Sequence, residues 1–372
     1  MQIVAQSLLV LKLSGGSAFA LGCVSLSQAA AFFLFALIGG GLADRVDRRR
    51  LLLVTQTILM LLAATLGFLT VTERISVPII AICAFLSGVI LSFDQPARAA
   101  LVSTLVPAND LLNAISLQSM VFNAAAVFGP VLAGVTIEWA GLPANFFLNA
   151  LSFSAVLAAL LSLPTRTSPP TGRKRIKEQI VAAMKSVGRD AVLSQQLWSY
   201  GMLLFTGPSL PLLVPVLAGA RLHVGPETVG ILLSAAGLGA VLGALGLARF
   251  PALSRRLRGL VLACWCVALG CVGISVNVPL MFFALVALGA AQSIAGATTS
   301  ALLQTRIPPQ QRGQMMSLNT LLLMGIRPLG DFPAGGAITL IGAPATALAS
   351  AAMVAVTTWI VSKRRIPGEF GR

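Results

Sequence analysis

Eleven apolar stretches of about twenty residues follow one another along the chain, near 18–41, 51–72, 77–103, 111–137, 143–163, 196–220, 226–249, 257–277, 279–303, 313–340 and 343–362. An α-helix rises 1.5 Å per residue, so each stretch can cross a hydrocarbon core of about 30 Å. Inside lipid a backbone must satisfy its own polar groups, and consecutive spans of this length do so as helices. Composition agrees: 57% of residues are hydrophobic, 10% are charged and the mean hydropathy is +0.91. About a quarter of residues are charged in a soluble domain. The expected fold class is therefore an all-α integral membrane protein. Residues 1–13 are apolar but too few to span, and read as the second half of a further helix.

A formal net charge of +15 would suggest nucleic acid in a soluble chain. Here the positive residues fall in loops. Alternate loops carry Arg45, Arg48, Arg49 and Arg50; Arg98; seven between Arg166 and Arg189; four between Arg249 and Arg258; Arg306 and Arg312; and four from Lys363 to Arg372, which is 22 of the 26 Lys and Arg. The other side has Lys12, Arg74 and Arg221, and Arg327 lies within a span. The positive-inside rule places the 22 in the cytoplasm, together with the C-terminus, and no nucleic-acid partner is expected. Residues 18–41 must then run from outside to inside. An incoming helix has to precede them, so the first helix is expected to lack its first ten or so residues.

The chain also repeats itself. Residues 100–150 laid on 301–351 with a constant shift of 201 match at 14 of 51 positions, among them Pro107 with Pro308, Ser116 with Ser317, Gly129 with Gly330, Gly134 with Gly335 and Pro143 with Pro344. Two similar halves in one orientation are expected: 1–163 with an incomplete first helix, 196–372 with a short tail, and a basic cytoplasmic linker at 164–195. Parallel six-helix halves around a midplane site are one plan of secondary transporters.

The run GGGLADRVDRRR, residues 39–50, sets small residues and then charges where a span meets the membrane surface. GGLADRVDRR within it resembles the loop motif after the second helix of the major facilitator superfamily, carried by Gly40, Leu42, Asp44, Arg45, Arg48 and Arg49. Asp47 stands where many members have glycine. FDQPARAALVSTLVPANDLLNAISLQ, FGPVLAG and NALSF resemble more narrowly the branch of enterobactin exporters and macrolide-efflux-like proteins. The resemblance implies two pseudo-symmetric six-helix halves, twelve helices when complete. It also implies that Asp44, with Arg45, Arg48 or Arg98 as first partners, latches a cytoplasmic gate; an orientation signal alone is the plainer reading of that block. FGPVLAG, with Gly129, Pro130 and Gly134, resembles the exporter motif of the fifth helix, with its glycine pair reduced to Ala133 and Gly134. Small residues spaced four apart let a neighbouring helix approach closely.

Charges within spans cost several kcal/mol or find partners. Asp94 and Arg98 are four apart around Pro96, and Arg327 and Asp331 are four apart in GIRPLGDFPAGG. Each pair is expected to bond to itself, as a static ion pair or as a site that changes partners, and a carboxylate there can take up a proton. Gln28, Asn123, Asn149 and Gln292 are candidates to line a large, mostly apolar cavity. His223 is the single histidine and falls in a loop, and the five cysteines lie in spans, so neither a metal site nor a cofactor is expected. The sequence contains no Gly-Lys pair for a phosphate loop and no catalytic constellation, which sets aside an ATP-driven pump and a membrane enzyme.

The resulting expectation is a proton-coupled exporter of an amphipathic small molecule such as a siderophore, a macrolide or another drug, working by alternating access as a monomer in a bacterial plasma membrane. Asp94, Arg98, Arg327 and Asp331 are its proton or substrate groups. An importer of a small metabolite and a non-transporting sensor or assembly scaffold on the same fold are the alternatives.

Overall fold

The structure, a computed structural model, describes residues 1–43, 46–107, 110–163, 188, 190–247, 255–306 and 325–363, and these are all helices and their connections. In order they are α1 (Gln2–Leu13), α2 (Ala18–Ala43), α3 (Arg48–Val71), α4 (Val77–Leu105), α5 (Leu111–Ser162), α6 (Ala191–Thr206), α7 (Leu210–Leu217) with a π turn (Ala218–Leu222), α8 (Pro226–Leu247), α9 (Arg255–Ile274), α10 (Val278–Arg306), α11 (Arg327–Ile341) and α12 (Ala343–Lys363). Nine segments among the described residues are long and apolar enough to cross a membrane. One of them, within α5, bends at Gly141 and so supplies two of the expected spans. The stretch expected at 313–340 is described only from residue 325, and most of the basic linker lies outside the described residues.

Backbone dihedrals repeat with the same shift of 201. Gly141 ends one arm of α5 with φ 82° and ψ 169°, and Gly342 ends α11 with φ 84° and ψ 156°. Each stands two residues before a proline, Pro143 or Pro344. This corner of φ/ψ space is nearly closed to any residue with a Cβ, at a cost of about 1–3 kcal/mol. A Cβ at either glycine would meet nothing closer than a proline Cδ at 3.5 or 3.8 Å, so the strain there is in the backbone alone. Gly342→Ala is accordingly expected to lower stability by about 1–3 kcal/mol in unfolding from mixed micelles. A change below about 0.3 kcal/mol would contradict this reading of the turn.

Packing follows the repeat. In the first half α2 lies on α4 and α3 on α5; in the second, α8 lies on α10 and α9 on α12. Among the described residues the halves meet chiefly through two crossings, α5 on α8 and α2 on α11. Both are made by glycines that admit a neighbouring backbone. A Cβ on Gly134 would lie 2.7 Å from Pro226 O, and one on Gly230 or Gly237 would collide with the carbonyl of Pro130 or Ala126. At the other crossing, a Cβ on Gly335 would lie 2.6 Å from Ala18 O and one on Gly22 would lie 2.8 Å from Asp331 O. The rings of Phe19 and Phe332 stack beside them, with centroids 5.4 Å apart.

Most of these contacts cluster toward the end of the bundle opposite Arg48–Arg50. Toward the arginine end, α5 is exposed at every residue from Leu117 to Phe122, with Leu117, Met120, Val121 and Phe122 more than 60% exposed. Six consecutive helical residues cover all sides of the helix. Among the described residues the two halves make their glycine contacts toward the far end.

One expected span is broken. The stretch 196–220 was expected to be a single helix; instead α6 stops at Thr206, residues 207–209 are non-helical and α7 begins at Leu210. Pro208 cannot donate to the preceding turn, and a residue before proline is pushed out of the helical region. Gly207 accordingly takes φ −87° and ψ 109°.

Candidate functional site

Arg48 and Arg49 open α3, where Asp47 caps the helix by accepting a bond of 2.7 Å from Arg50 N–H. The aspartate at the family's glycine position thus serves as an N-cap. Arg49 donates from Nε to Leu160 O at 2.6 Å and from Nη2 to Leu161 O at 2.7 Å, at the C-terminal end of α5. Carbonyls there lack helical partners and carry the negative end of the helix dipole, so a guanidinium is well placed. Arg48 donates to Ala100 O near the end of α4 at 3.3 Å. These bonds tie three helix ends within one half. Asp44 and Arg45 lie outside the described residues, and of Gly40 the structure gives only its place in α2. In the second half Asp190 caps α6 and pairs with Arg306 at 3.5 Å.

Asp94 is 1% exposed on α4. Its Oδ2 accepts from Arg98 Nη2 at 3.0 Å and Nε at 3.3 Å, and its Oδ1 accepts from Thr55 Oγ1 at 2.8 Å and Gln56 Nε2 at 2.6 Å, both on α3. The expected pair of Asp94 with Arg98 is present, inside a network that fastens α3 to α4. This cluster forms one wall of a cavity of about 290 Å³. The rest comes from α1, α2, α5 and α7, with Gln2, Gln6, Gln28, Gln56 and Gln95 around it. Of the four neutral candidates Gln28 lines this cavity, while Asn149 donates to Gln2 Oε1 at 2.8 Å from behind. Asn123 is half-buried on α5 and Gln292 belongs to another cluster. The cavity is mostly apolar, as expected from sequence, with five glutamines from four helices set into its wall. The glutamines on α1, α3 and α4 went unnoticed because a lone Gln in an apolar run carries no periodic signal.

Arg327 and Asp331 do not bond to each other, which corrects the expected pair. Asp331 is 3% exposed and its Oδ1 accepts from Ser209 N–H at 2.7 Å, at the break between α6 and α7. Arg327 turns the other way and donates from Nη2 to Gln292 Oε1 on α10 at 2.8 Å. Pro208 leaves an unpaired backbone at the break, and this free N–H competes for the carboxylate more effectively than a flexible guanidinium on the same helix. No spacing rule predicts the contact, because Ser209 and Asp331 are 122 residues apart.

In FGPVLAG, Gly134 and Pro130 carry the contact with α8, and Val131 N–H donates to Ser234 Oγ on α8 at 3.1 Å. Gly129, expected to share this role, faces only Met1 N at 3.6 Å. Gly230, Gly237 and Ser234 are the partners that sequence reading missed. Asp331 falls on Pro130 under the sequence shift of 201, so the two stand at equivalent positions of the two crossings, Pro130 against α8 and Asp331 against α2. Among the described residues no group of His, Cys, Asp or Glu could hold a metal ion.

The family model for the transmembrane secretion effectors, within the major facilitator superfamily, matches residues 1–369. The chain belongs to this family. Like other transmembrane secretion effectors it is a multi-pass membrane transporter rather than an enzyme. It is 25% identical over 320 residues to the staphyloferrin A transporter of Staphylococcus aureus, covering 84% of this chain and 79% of that one. Identity to the enterobactin exporter EntS is 25% over 332 residues in Salmonella typhi, 87% of this chain and 77% of the exporter. The match to the Citrobacter koseri exporter is 27% identical over 58% of this chain and spans about half, 51%, of its relative. Among solved structures the fold resembles a bacterial homologue of the human lysosomal transporter Spinster, in its inward-facing and occupied conformation. The TM-score is 0.74 at 15% identity, covering 99% of this chain and 96% of that one. The nucleoside transporter NupG superimposes with a TM-score of 0.71 at 12% identity, over 97% and 96% of the two chains.

Proposed function

We propose that this transmembrane secretion effector exports a small molecule from the cytoplasm in exchange for protons, by rocking of its two halves, and that Asp331 carries the proton. The observation behind this reading is the placement of Asp331. A carboxylate that is almost fully buried caps the break in the α6–α7 helix while its own backbone touches Gly22 of the other half. When ionised it accepts the Ser209 N–H strongly, because a charged acceptor makes a bond about twice as strong as a neutral one. When protonated it holds the break less tightly, which lets α6 and α7 change angle. Discontinuous helices at the interface of two repeats are where transporters place such sites.

The two halves, 1–163 and 196–372, are the moving bodies, with the basic residues of 164–195 as the cytoplasmic connector. Arg48, Arg49 and the Asp94 cluster keep the first half rigid as it moves, and Asp44 with Arg45 is the cytoplasmic latch of the opposite state. The excess of Lys and Arg at the end of Arg48–Arg50 supports a cytoplasmic placement of that end and of the C-terminus. The relatives named as handling staphyloferrin A and enterobactin support siderophore-like cargo over a macrolide or other drug, in a bacterial inner membrane, with a monomer as the working unit.

Everted vesicles containing the protein, acidified inside, provide the test. Adding a carboxylate siderophore, a catecholate siderophore or a macrolide is expected to dissipate the pH gradient with one of the three, as read by acridine orange fluorescence. No gradient-linked flux with any of them would favour the non-transporting scaffold. Uptake in the opposite sense would favour the importer.

A further inference from the structure

We infer that the transported molecule carries an oxyanion, of the carboxylate class, and that Arg327 is the residue that selects it. This rests on the reading of the chain as a transporter and adds the chemistry of its substrate. Arg327 opens α11, half-buried, one helical turn before Asp331. A guanidinium offers five donors in a planar fork. Among the described residues Arg327 makes one bond, to the neutral amide oxygen of Gln292, and Nε is buried with no acceptor. No carboxylate bonds to it among the described residues. Asp331 is committed to Ser209, and both oxygens of Asp94 are taken by Thr55, Gln56 and Arg98.

A buried donor on a charged group without an acceptor is a standing deficit, and a membrane interior enlarges it. The deficit disappears when a planar oxyanion takes the fork in bidentate fashion. The surroundings suit such a ligand. Gly201 on α6 approaches Ile326 beside the arginine, with 3.5 Å between the added Cβ position and Ile326 Cδ1, so the guanidinium sits among α6, α10 and α11. Across the bundle, the glutamine-lined cavity offers neutral amides that both donate and accept. Arg98, whose side chain is 43% exposed, lines it with Nη1 unused. Arg98 is paired there with Asp94, whereas Arg327 has no carboxylate bonded to it among the described residues, which favours an anion at Arg327 over a cationic drug.

The experiment uses the whole purified protein in detergent, with benzene-1,3,5-tricarboxylate as probe and its trimethyl ester as the uncharged control, and reads ligand-dependent shifts in melting temperature. The tricarboxylate is expected to bind at least tenfold more tightly than the ester. Arg327→Gln should remove that preference, Arg327→Lys should keep part of it, and Asp331→Asn should keep it whole. Should Arg327→Gln not fold, Gln292→Leu, which frees the guanidinium from its anchor, is expected to weaken tricarboxylate binding several-fold. Equal binding of acid and ester, no binding of either, or an unchanged preference in Arg327→Gln would overturn the inference. Binding requires no gradient, so a failure of proton-driven flux with anion selectivity intact would remove the coupling reading and leave this one standing.

Discussion

Asp331→Asn is expected to abolish gradient-driven transport while the protein still inserts and folds. The substitution is nearly isosteric, and the amide oxygen can accept the Ser209 N–H bond that Oδ1 accepts at 2.7 Å. The cap on the α6–α7 break is therefore kept in weaker form, since a neutral acceptor contributes about 1 kcal/mol where a charged one contributes roughly 1.5–3. What is lost is the ability to alternate between an ionised and a protonated acceptor. The expected signature is specific: accumulation against a gradient falls to background, while exchange of labelled for unlabelled substrate across de-energised vesicles continues. A variant limited by misfolding would lose both activities together. Normal accumulation by Asp331→Asn would take Asp331 out of the coupling role, and attention would pass to Asp94.

Asp94→Leu is expected to destabilise the first half by about 3 kcal/mol or more. Breaking one side of a buried ion pair costs about 3–5 kcal/mol when the surviving charge has no other partner. Arg98 is 43% exposed and can turn to solvent, so its share of that cost is smaller. Gln56 cannot, being 2% exposed, and loses an acceptor worth roughly 1–3 kcal/mol to a buried donor, whereas Thr55 keeps Leu52 O at 3.1 Å as an acceptor. Asp94→Asn keeps an oxygen for Thr55 and Gln56 and loses the charge, so it should cost about 1 kcal/mol, near an ordinary single hydrogen bond. Unfolding of both variants from mixed micelles compares the two. Equal losses would mean that the ion pair with Arg98 dominates, and a loss in Asp94→Leu below about 0.5 kcal/mol would show that the network does not fasten α3 to α4.

Spans, repeat and motifs were legible in the chain because membrane insertion imposes its rules locally. A helix in lipid must be about twenty apolar residues long, its charges must lie at its ends, and a turn of the Gly141 or Gly342 kind needs glycine at one position and proline two residues on. Each of these is a property of consecutive residues. The pair of Asp94 with Arg98 was also readable, because residues four apart share a helix face. The same rule failed for Arg327 and Asp331. Pro208 breaks a different helix and exposes a backbone N–H there, and the carboxylate turned to it. Likewise the glutamines at 2, 6, 56 and 95 are unremarkable singly and become a cavity wall when three helices converge.

The glycine-rich run at 39–50, its arginines and the two halves were thus determined by sequence alone, since lipid acts on each segment separately. Tertiary structure decided which acid meets which donor and which glycines carry the crossing between halves. Those outcomes depend on groups as far apart in the chain as Ala18 and Gly335, and on competition among partners that only the assembled bundle brings within 3 Å of one another.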